Sequence, residues 1–254
     1  MVSRYRLGNV TRAYSRIKER FSRAVHDTLL HGLAPGADIV EFGPGEGHFS
    51  RESLRRGYRY VGVEGSRFYA EQRLAEGARI LRARLPLCAL ANDSADAVFS
   101  SMVLEHMGSP AEAVLFVEEA SRVVRPGGTI VLMFPNAYAN GPIFWEMDYT
   151  HGYFTTPRRV CTMCEHRGLE VVAVHRAIHW LWIRSTPLHT TVRIACNVVM
   201  SVANWAPVAA LGEALGLGGI LYRLRKSIFE TTIVVARRPG DVAPEAGAGS
   251  AAHR

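Results

Sequence analysis

The sequence predicts an α/β domain, doubly wound around a mostly parallel sheet of seven strands, with a helical insertion before the last strand. Three observations carry that prediction. The apolar run Asp38-Ile39-Val40-Glu41-Phe42 passes directly into a glycine turn, Gly43-Pro44-Gly45-Glu46-Gly47. Tyr58–Glu64 is a second β-rich run that ends in an acid, and Glu64 lies 17 residues after Gly47. Beyond it, strand-like and helix-like segments alternate, the order that lays a parallel sheet between helices.

Taken in order, Asn9 to Leu33 reads as an amphipathic helix, with Tyr14, Ile17, Phe21, Val25 and Leu29 at spacings of three or four. Its polar face carries Arg12, Arg16, Arg20 and Arg23, a solvated face over the sheet edge or the mouth of the glycine turn. Three strands follow by about Ala83, and two more at Ala97–Ser101 and Thr129–Phe134. Pro157–Arg167 is a helix candidate and Leu169–Ala177 the sixth strand. Phe229–Ala236 is the last strand. The chain divides into a helical segment over 1–35, a main domain over 36–238 with the insertion at 178–228, and a tail over 239–254. The tail is rich in Ala, Gly and Pro, a composition expected to stay disordered.

The 254 residues can bury a full core and fall within the range of one domain. Apolar residues make up 48% and charged residues 21%, ordinary globular values. Four cysteines without a regular framework suggest a reducing compartment, and no charged-then-apolar leader opens the chain, so a cytoplasmic location is expected. The formal charge is +7, with lysine only at Lys18 and Lys226. Arginine forks suit an anionic partner, although arginine abundance is equally a mark of genome composition.

The glycine spacing is G-x-G-x-G, with His48 where a pyrophosphate-binding turn would need its third glycine. An acid at the mouth of such a turn suits a zwitterionic, phosphate-free ligand. Here the chain resembles the class I S-adenosylmethionine-dependent methyltransferases, Rossmann-like enzymes whose first motif is E/D-x-G-x-G-x-G. Asp93–His106 is similar to their fourth-strand pattern, FD-x-V-x-S-x-x-x-LEH, with Ala95 in place of phenylalanine. Arg122-Val123-Val124-Arg125-Pro126-Gly127-Gly128-Thr129 resembles their LKPGG turn. The ordered matches cover residues 38–134.

The resemblance implies S-adenosylmethionine as cofactor and an antiparallel last strand. Glu41 would orient the methionine ammonium, and Gly43, Gly45 and Gly47 would admit the methionine and ribose. Ser101 would lie beside the methionine, Leu85 would flank adenine, and Glu64 would hold the ribose hydroxyls. Glu64 could instead cap the next helix; its strand-end position favours the ribose. The aspartate that receives the adenine amino group in relatives is missing, since Leu81 and Arg82 stand there. Backbone near Arg84 and Leu85, or Asn92 or Asp93, would have to replace it.

Asp148-Tyr149-Thr150-His151 through Thr155 resembles the D-x-T-H-x-x-x-F-T loop of bacterial polysaccharide and natural-product methyltransferases, with two residues instead of three between His151 and Phe154. O-Methylation removes a hydroxyl proton, which a neutral imidazole can accept. His151 is the first candidate base, with Asp148 as its orienter or a substrate ligand, and His106 is next. The alternative is that His151 and Asp148 only pin the loop. Ubiquinone-type relatives carry E-x-x-E-H with a divalent metal, but Met102 replaces the first acid here, so no metal is expected. Cys161 and Cys164 form a lone pair, read as core-facing on a helix.

The insertion contains an uncharged run, Ile194–Gly212, near Trp180, Trp182 and Trp205, and then Arg223, Arg225 and Lys226. A cap over the substrate pocket leads the readings, ahead of a helix on an anionic membrane surface. A true span would separate the last strand from its sheet. The function that follows is O-methylation of a sugar or secondary-metabolite hydroxyl. A nucleic-acid methyltransferase is the alternative suggested by charge, yet Ser100-Ser101-Met102-Val103 lacks the N/D-P-P-Y/F of amino-directed enzymes, so no nucleic-acid partner is expected. A non-catalytic cofactor-binding protein is the third reading.

Overall fold

The computed structural model of the protein describes residues 12–178, 187–220, 222 and 228–240. It contains β1 (Asp38–Phe42), β2 (Arg59–Val63), β3 (Arg79–Leu81), β4 (Ala95–Ser101), β5 (Val124–Pro135), β6 (Glu170–Ile178) and β7 (Glu230–Arg237). These form one seven-stranded sheet in the order β3-β2-β1-β4-β5-β7-β6. Strands β1 to β5 pair in parallel and β7 runs antiparallel between β5 and β6. The order reverses between β1 and β4, so a crevice opens at the carboxyl ends of those two strands. The expected doubly wound fold, with its antiparallel last strand, is what the chain adopts.

The helices are α1 (Arg12–Thr28), α2 (His48–Arg55), α3 (Arg67–Ala75), α4 (Pro110–Val123), α5 (Ala137–Asn140), α6 (Ile143–Glu146), α7 (Pro157–His166), α8 (Pro187–Asn204) and α9 (Ala206–Ala214). Caps fix several of them. Ser66, Ser109 and Thr156 each accept a backbone N–H of the first turn they precede, and Pro110 and Pro157 occupy first-turn positions where no N–H is needed.

One core lies between the sheet and α4 with α7, around Phe42, Phe116, Leu132 and Phe134. The other lies beneath α1 and α2, where Phe49 stacks on Phe99 with centroids 3.8 Å apart. Phe21 and Val25 of α1 are buried there as their spacing predicts. The helix ends at Thr28, short of the expected Leu33. Cys164 is buried in the first core, in line with a core-facing cysteine.

Helices α8 and α9 lie between β6 and β7, within the predicted insertion. Met200 of α8 packs with Ile143 and Phe229, and Met102 and Met147 border that cluster. Asn197 donates to Glu230 Oε2 at 2.8 Å, while Asn136 donates to Glu230 Oε1 at 2.7 Å. The insertion is thereby fastened to the start of β7 and the end of β5. Trp180, Trp182, Arg223, Arg225, Lys226 and the tail from 241 onward lie outside the described residues.

Candidate active site

The glycine turn leaves β1 in the left-handed region, with φ +77° at Gly43, +49° at Gly45 and +78° at Gly47. A Cβ on Gly43 would sit 2.4 Å from Val103 Cγ2, so close packing forbids one. At Gly45 a Cβ would meet nothing within 4 Å. That side of the turn is open to a ligand.

The opening is a cleft of about 360 Å³. Glu41, Gly43, Gly45, Gly47 and Ser101 all line it, so five of the sequence-predicted cofactor residues are brought together. Asp148 of the D-x-T-H loop lines the same cleft. Glu41 is buried, and Tyr60 Oη donates to its Oε2 at 2.5 Å. Burial, reinforced by the Glu64 carboxylate, raises the Glu41 pKa to about 8 against the hydrogen bond from Tyr60. Glu46 is the opposite case. Hydrogen bonds from His48 and Lys18 hold it down to about 2 despite partial burial.

Glu64 is placed differently from a carboxylate open to a ribose. Its Oε2 accepts Gly45 N–H at 3.0 Å and its Oε1 accepts Ser66 N–H at 2.8 Å, so it braces the turn and the start of α3. Each oxygen keeps a second lone pair for a hydroxyl donor. Leu85 does not line the cleft and packs against the first core. Asn92 and Asp93 cannot reach adenine: they precede β4 at the opposite end of the sheet, engaged by Arg122 and Arg238.

Sequence reasoning missed several cleft residues. Lys18, Phe21 and Ser22 of α1 form one wall, individually unforeseen, although the helix lies over the glycine turn, one of the two positions expected for it. Buried Arg73 of α3 donates to Gly45 O at 2.8 Å and to Glu76 at 2.7 Å, holding the turn from behind. Met102 lines the cleft with φ +56°, uncommon for a residue with a Cβ and therefore locally strained.

The fourth-strand motif ends in a short 3₁₀ turn, Leu104–His106. Leu104 enters the core, and Glu105 O accepts Gly152 N–H at 2.8 Å and Tyr153 N–H at 3.0 Å. The D-x-T-H loop is thus pinned to the LEH turn by backbone bonds. His151 is buried and its Nδ1 donates to Phe144 O at 2.5 Å. Asp148 does not orient His151 as expected: its Oδ1 accepts both the N–H and the hydroxyl of Thr150, at 2.9 and 2.6 Å. Thr150 Oγ1, its proton committed to Asp148, accepts His106 Nδ1–H at 2.9 Å. Asp148 therefore orients His106 through Thr150, and the Phe144 carbonyl orients His151.

These partners settle the tautomers. With Nδ1 a donor in both rings, Nε2 carries the lone pair in each neutral imidazole. Burial lowers the pKa of both, and in His151 the neighbouring His106 lowers it further. The ring centroids are 5.0 Å apart.

The model of the methyltransferase domain family matches residues 10–174, well over half of the chain. An uncharacterized methyltransferase of Mycobacterium sp. (strain JLS) is 36% identical over 101 residues, 39% of this chain and 39% of that protein. Another, from Mycolicibacterium vanbaalenii, is 30% identical over 165 residues, 59% and 62% of the two chains. The matches thus span less than two thirds of these relatives' length. Among solved structures, an S-adenosylmethionine-dependent methyltransferase from Archaeoglobus fulgidus has a TM-score of 0.56 at 15% identity, covering 87% of this chain and 94% of that one. Haemonchus contortus phosphoethanolamine N-methyltransferase 2, in complex with S-adenosyl-L-methionine, has a TM-score of 0.57 at 15% identity and covers 90% of this chain and 57% of its own. At such identities the likeness shows the fold alone. The chain belongs to the methyltransferase domain family, on the Rossmann-like fold of the S-adenosylmethionine-dependent class.

Proposed function

We propose that this protein transfers the methyl group of S-adenosylmethionine to a hydroxyl of a sugar or secondary metabolite. The observation that carries the reading is one cleft that joins the open side of Gly45 and the buried carboxyl of Glu41 to Asp148 of the D-x-T-H loop. Glu41 would meet the methionine ammonium, Ser101 the methionine portion and Glu64 the ribose. The acceptor oxygen attacks the sulfonium methyl, the carbon–sulfur bond breaks, and S-adenosylhomocysteine leaves. The hydroxyl proton goes to an imidazole Nε2. His151 is the first candidate, held in the accepting tautomer by Phe144, and His106 is the second, held by Thr150 and Asp148. The test is calorimetric titration with S-adenosylhomocysteine, followed by a screen of hydroxylated acceptors with labelled donor. Failure to bind S-adenosylhomocysteine would refute the donor. Transfer only to amines or to nucleic acid would refute the acceptor class.

A second reading concerns where the enzyme works. On α8 and α9 and at the ends of α9, Val192, Val198, Val202, Trp205, Leu211 and Leu215 are exposed, an apolar surface of the kind that marks an interaction site. Among the described residues no single helix is long and apolar enough to cross a membrane, and the two helices meet at a bend of 68°. The segment 178–228 carries five basic residues and one acid in sequence, Arg184, Arg193, Arg223, Arg225 and Lys226 against Glu213. This combination suits peripheral contact with an anionic membrane surface, with cap and membrane contact formed by the same insertion.

A further inference from the structure

The LEH turn and the D-x-T-H loop bring three donor groups together that neither motif contains alone. One ligand atom each from Glu105, His106 and His151 lies within 4.8 Å of the other two. Glu105 is buried, and its Oε2 has no hydrogen-bond partner. A carboxyl oxygen buried without a partner forfeits its hydration for nothing, so such a group calls for a ligand. Both imidazoles use Nδ1–H on oxygen acceptors, leaving Nε2 as the coordinating atom. Metal-binding histidines are commonly fixed in this way, with the second nitrogen donating to a carbonyl or a carboxylate-linked group. Burial is the largest influence on all three groups, raising Glu105 to about 8 and favouring the neutral imidazoles that a metal requires, and the Asp148 carboxylate adds a smaller electrostatic effect on each.

We propose that Glu105, His106 and His151 hold a divalent transition-metal ion behind Asp148, which lines the cleft and reaches His106 through Thr150, with one coordination position left open. Two imidazoles and one carboxylate form a zinc-type catalytic set, in which the fourth position receives water or substrate. Ligands about 2.1 Å from a tetrahedral ion lie roughly 3.4 Å apart, so atoms within 4.8 Å of one another need to draw in by at most about 1.4 Å to close the site. Met102, standing where metal-dependent relatives carry an acid, does not prevent this, because His151 supplies the third donor from 45 residues downstream. Binding of the ion stands on this geometry. Its catalytic role rests on the O-methyl-transfer reading: an acceptor hydroxyl in the open position would lose its proton to solvent at lower pH, and the metal-bound alkoxide would attack the methyl group. The imidazole lone pair that otherwise takes the proton is then committed to the metal.

The test is titration of the metal-stripped protein with Zn²⁺ by calorimetry and with Co²⁺ by visible absorption. One equivalent should bind, with cobalt bands of a nitrogen–oxygen site. His106→Ala and His151→Ala should each weaken binding at least tenfold. Glu105→Gln, which keeps the side chain's shape, should do the same. Cys161→Ser with Cys164→Ser should change nothing. Unweakened binding in all three ligand variants, or no binding to the intact protein, would overturn the site. S-Adenosylhomocysteine titrated in parallel reads the donor cleft alone, so loss of the metal with intact cofactor binding refutes the ion without touching the methyltransferase reading. Loss of cofactor binding with one metal equivalent retained refutes the reverse.

Discussion

Glu41 gives the sharpest test of the donor site, because its proton must leave when a cation arrives. Burial holds its pKa at about 8, far above the 4.5 of a free side chain. In the empty protein the carboxyl is therefore neutral at pH 6, where the unfolded chain would have released the proton. Its contribution to the stability of the empty protein is present below about pH 4.5 and is lost as pH rises toward 8. Cofactor binding runs the other way. The methionine ammonium favours the carboxylate, so binding at pH 6 must also ionise a group two pH units below its pKa. That costs on the order of 3 kcal/mol, roughly a hundredfold in affinity, at 1.36 kcal/mol per unit. Affinity for S-adenosylhomocysteine should rise nearly tenfold per pH unit from 5.5 to 7.5. Calorimetry in buffers of different ionisation enthalpy should register close to one proton released. Glu41→Gln keeps an acceptor for Tyr60 Oη and cannot titrate, so its affinity should be lower at pH 7.5 and nearly flat with pH. Equal slopes in the two proteins, or no proton release from the wild type, would refute the assignment of Glu41 to the ammonium.

Other expectations follow from the same geometry. Gly45→Val places a branched side chain on the open side of the turn at φ +49° and should abolish S-adenosylhomocysteine binding by calorimetry. His151→Ala should lower turnover by about 10²–10⁴ with cofactor affinity nearly unchanged. His151→Gln should remain equally impaired, and full turnover in that variant would make the residue structural. Phe116→Ala, which empties a fully buried site against Phe42, should cost about 3–5 kcal/mol in denaturant unfolding. The intact protein should float with anionic vesicles at low salt, and Arg223→Ala with Arg225→Ala and Lys226→Ala should weaken this. No flotation of the intact protein would leave the cap as the preferred reading of the insertion.

The parts of the site that were legible in sequence are local. Apolar strands ending in Glu41 and Glu64, the glycine turn and the LEH turn are each set by neighbours within a few residues, so pattern and spacing expose them. The parts that were not legible depend on distant partners. Arg73 braces Gly45 across 28 residues, and Asn136 and Asn140 meet the first residue of β7 across 94 and 90. Nothing local distinguishes Arg73 from the exposed Arg67 of its own helix. Asp148 beside His151 in sequence suggested a pair, but the intervening Thr150 turns the carboxylate toward His106. The adenine site stayed hidden for a different reason. Leu81 and Arg82 offer no side-chain acceptor, and backbone groups, if they held adenine, would leave no sequence signature.

Glu105 explains why these motifs work as one unit. Its carbonyl anchors Gly152 and Tyr153, its side chain faces His106 and His151, and the next residue continues the turn that follows β4. A Cβ on Gly152 would lie 2.5 Å from Met107 O, so the loop can approach the turn this closely only with glycine there. On the far side, α8 reaches the same region through the Met200 and Ile143 cluster, which borders Met102 and Met147. Movement of the insertion would therefore be felt at Met102, which is already in a strained conformation and lines the donor cleft. Met102 thus joins two regions, bordering the cluster that fastens α8 and lining the glycine-turn cleft at once.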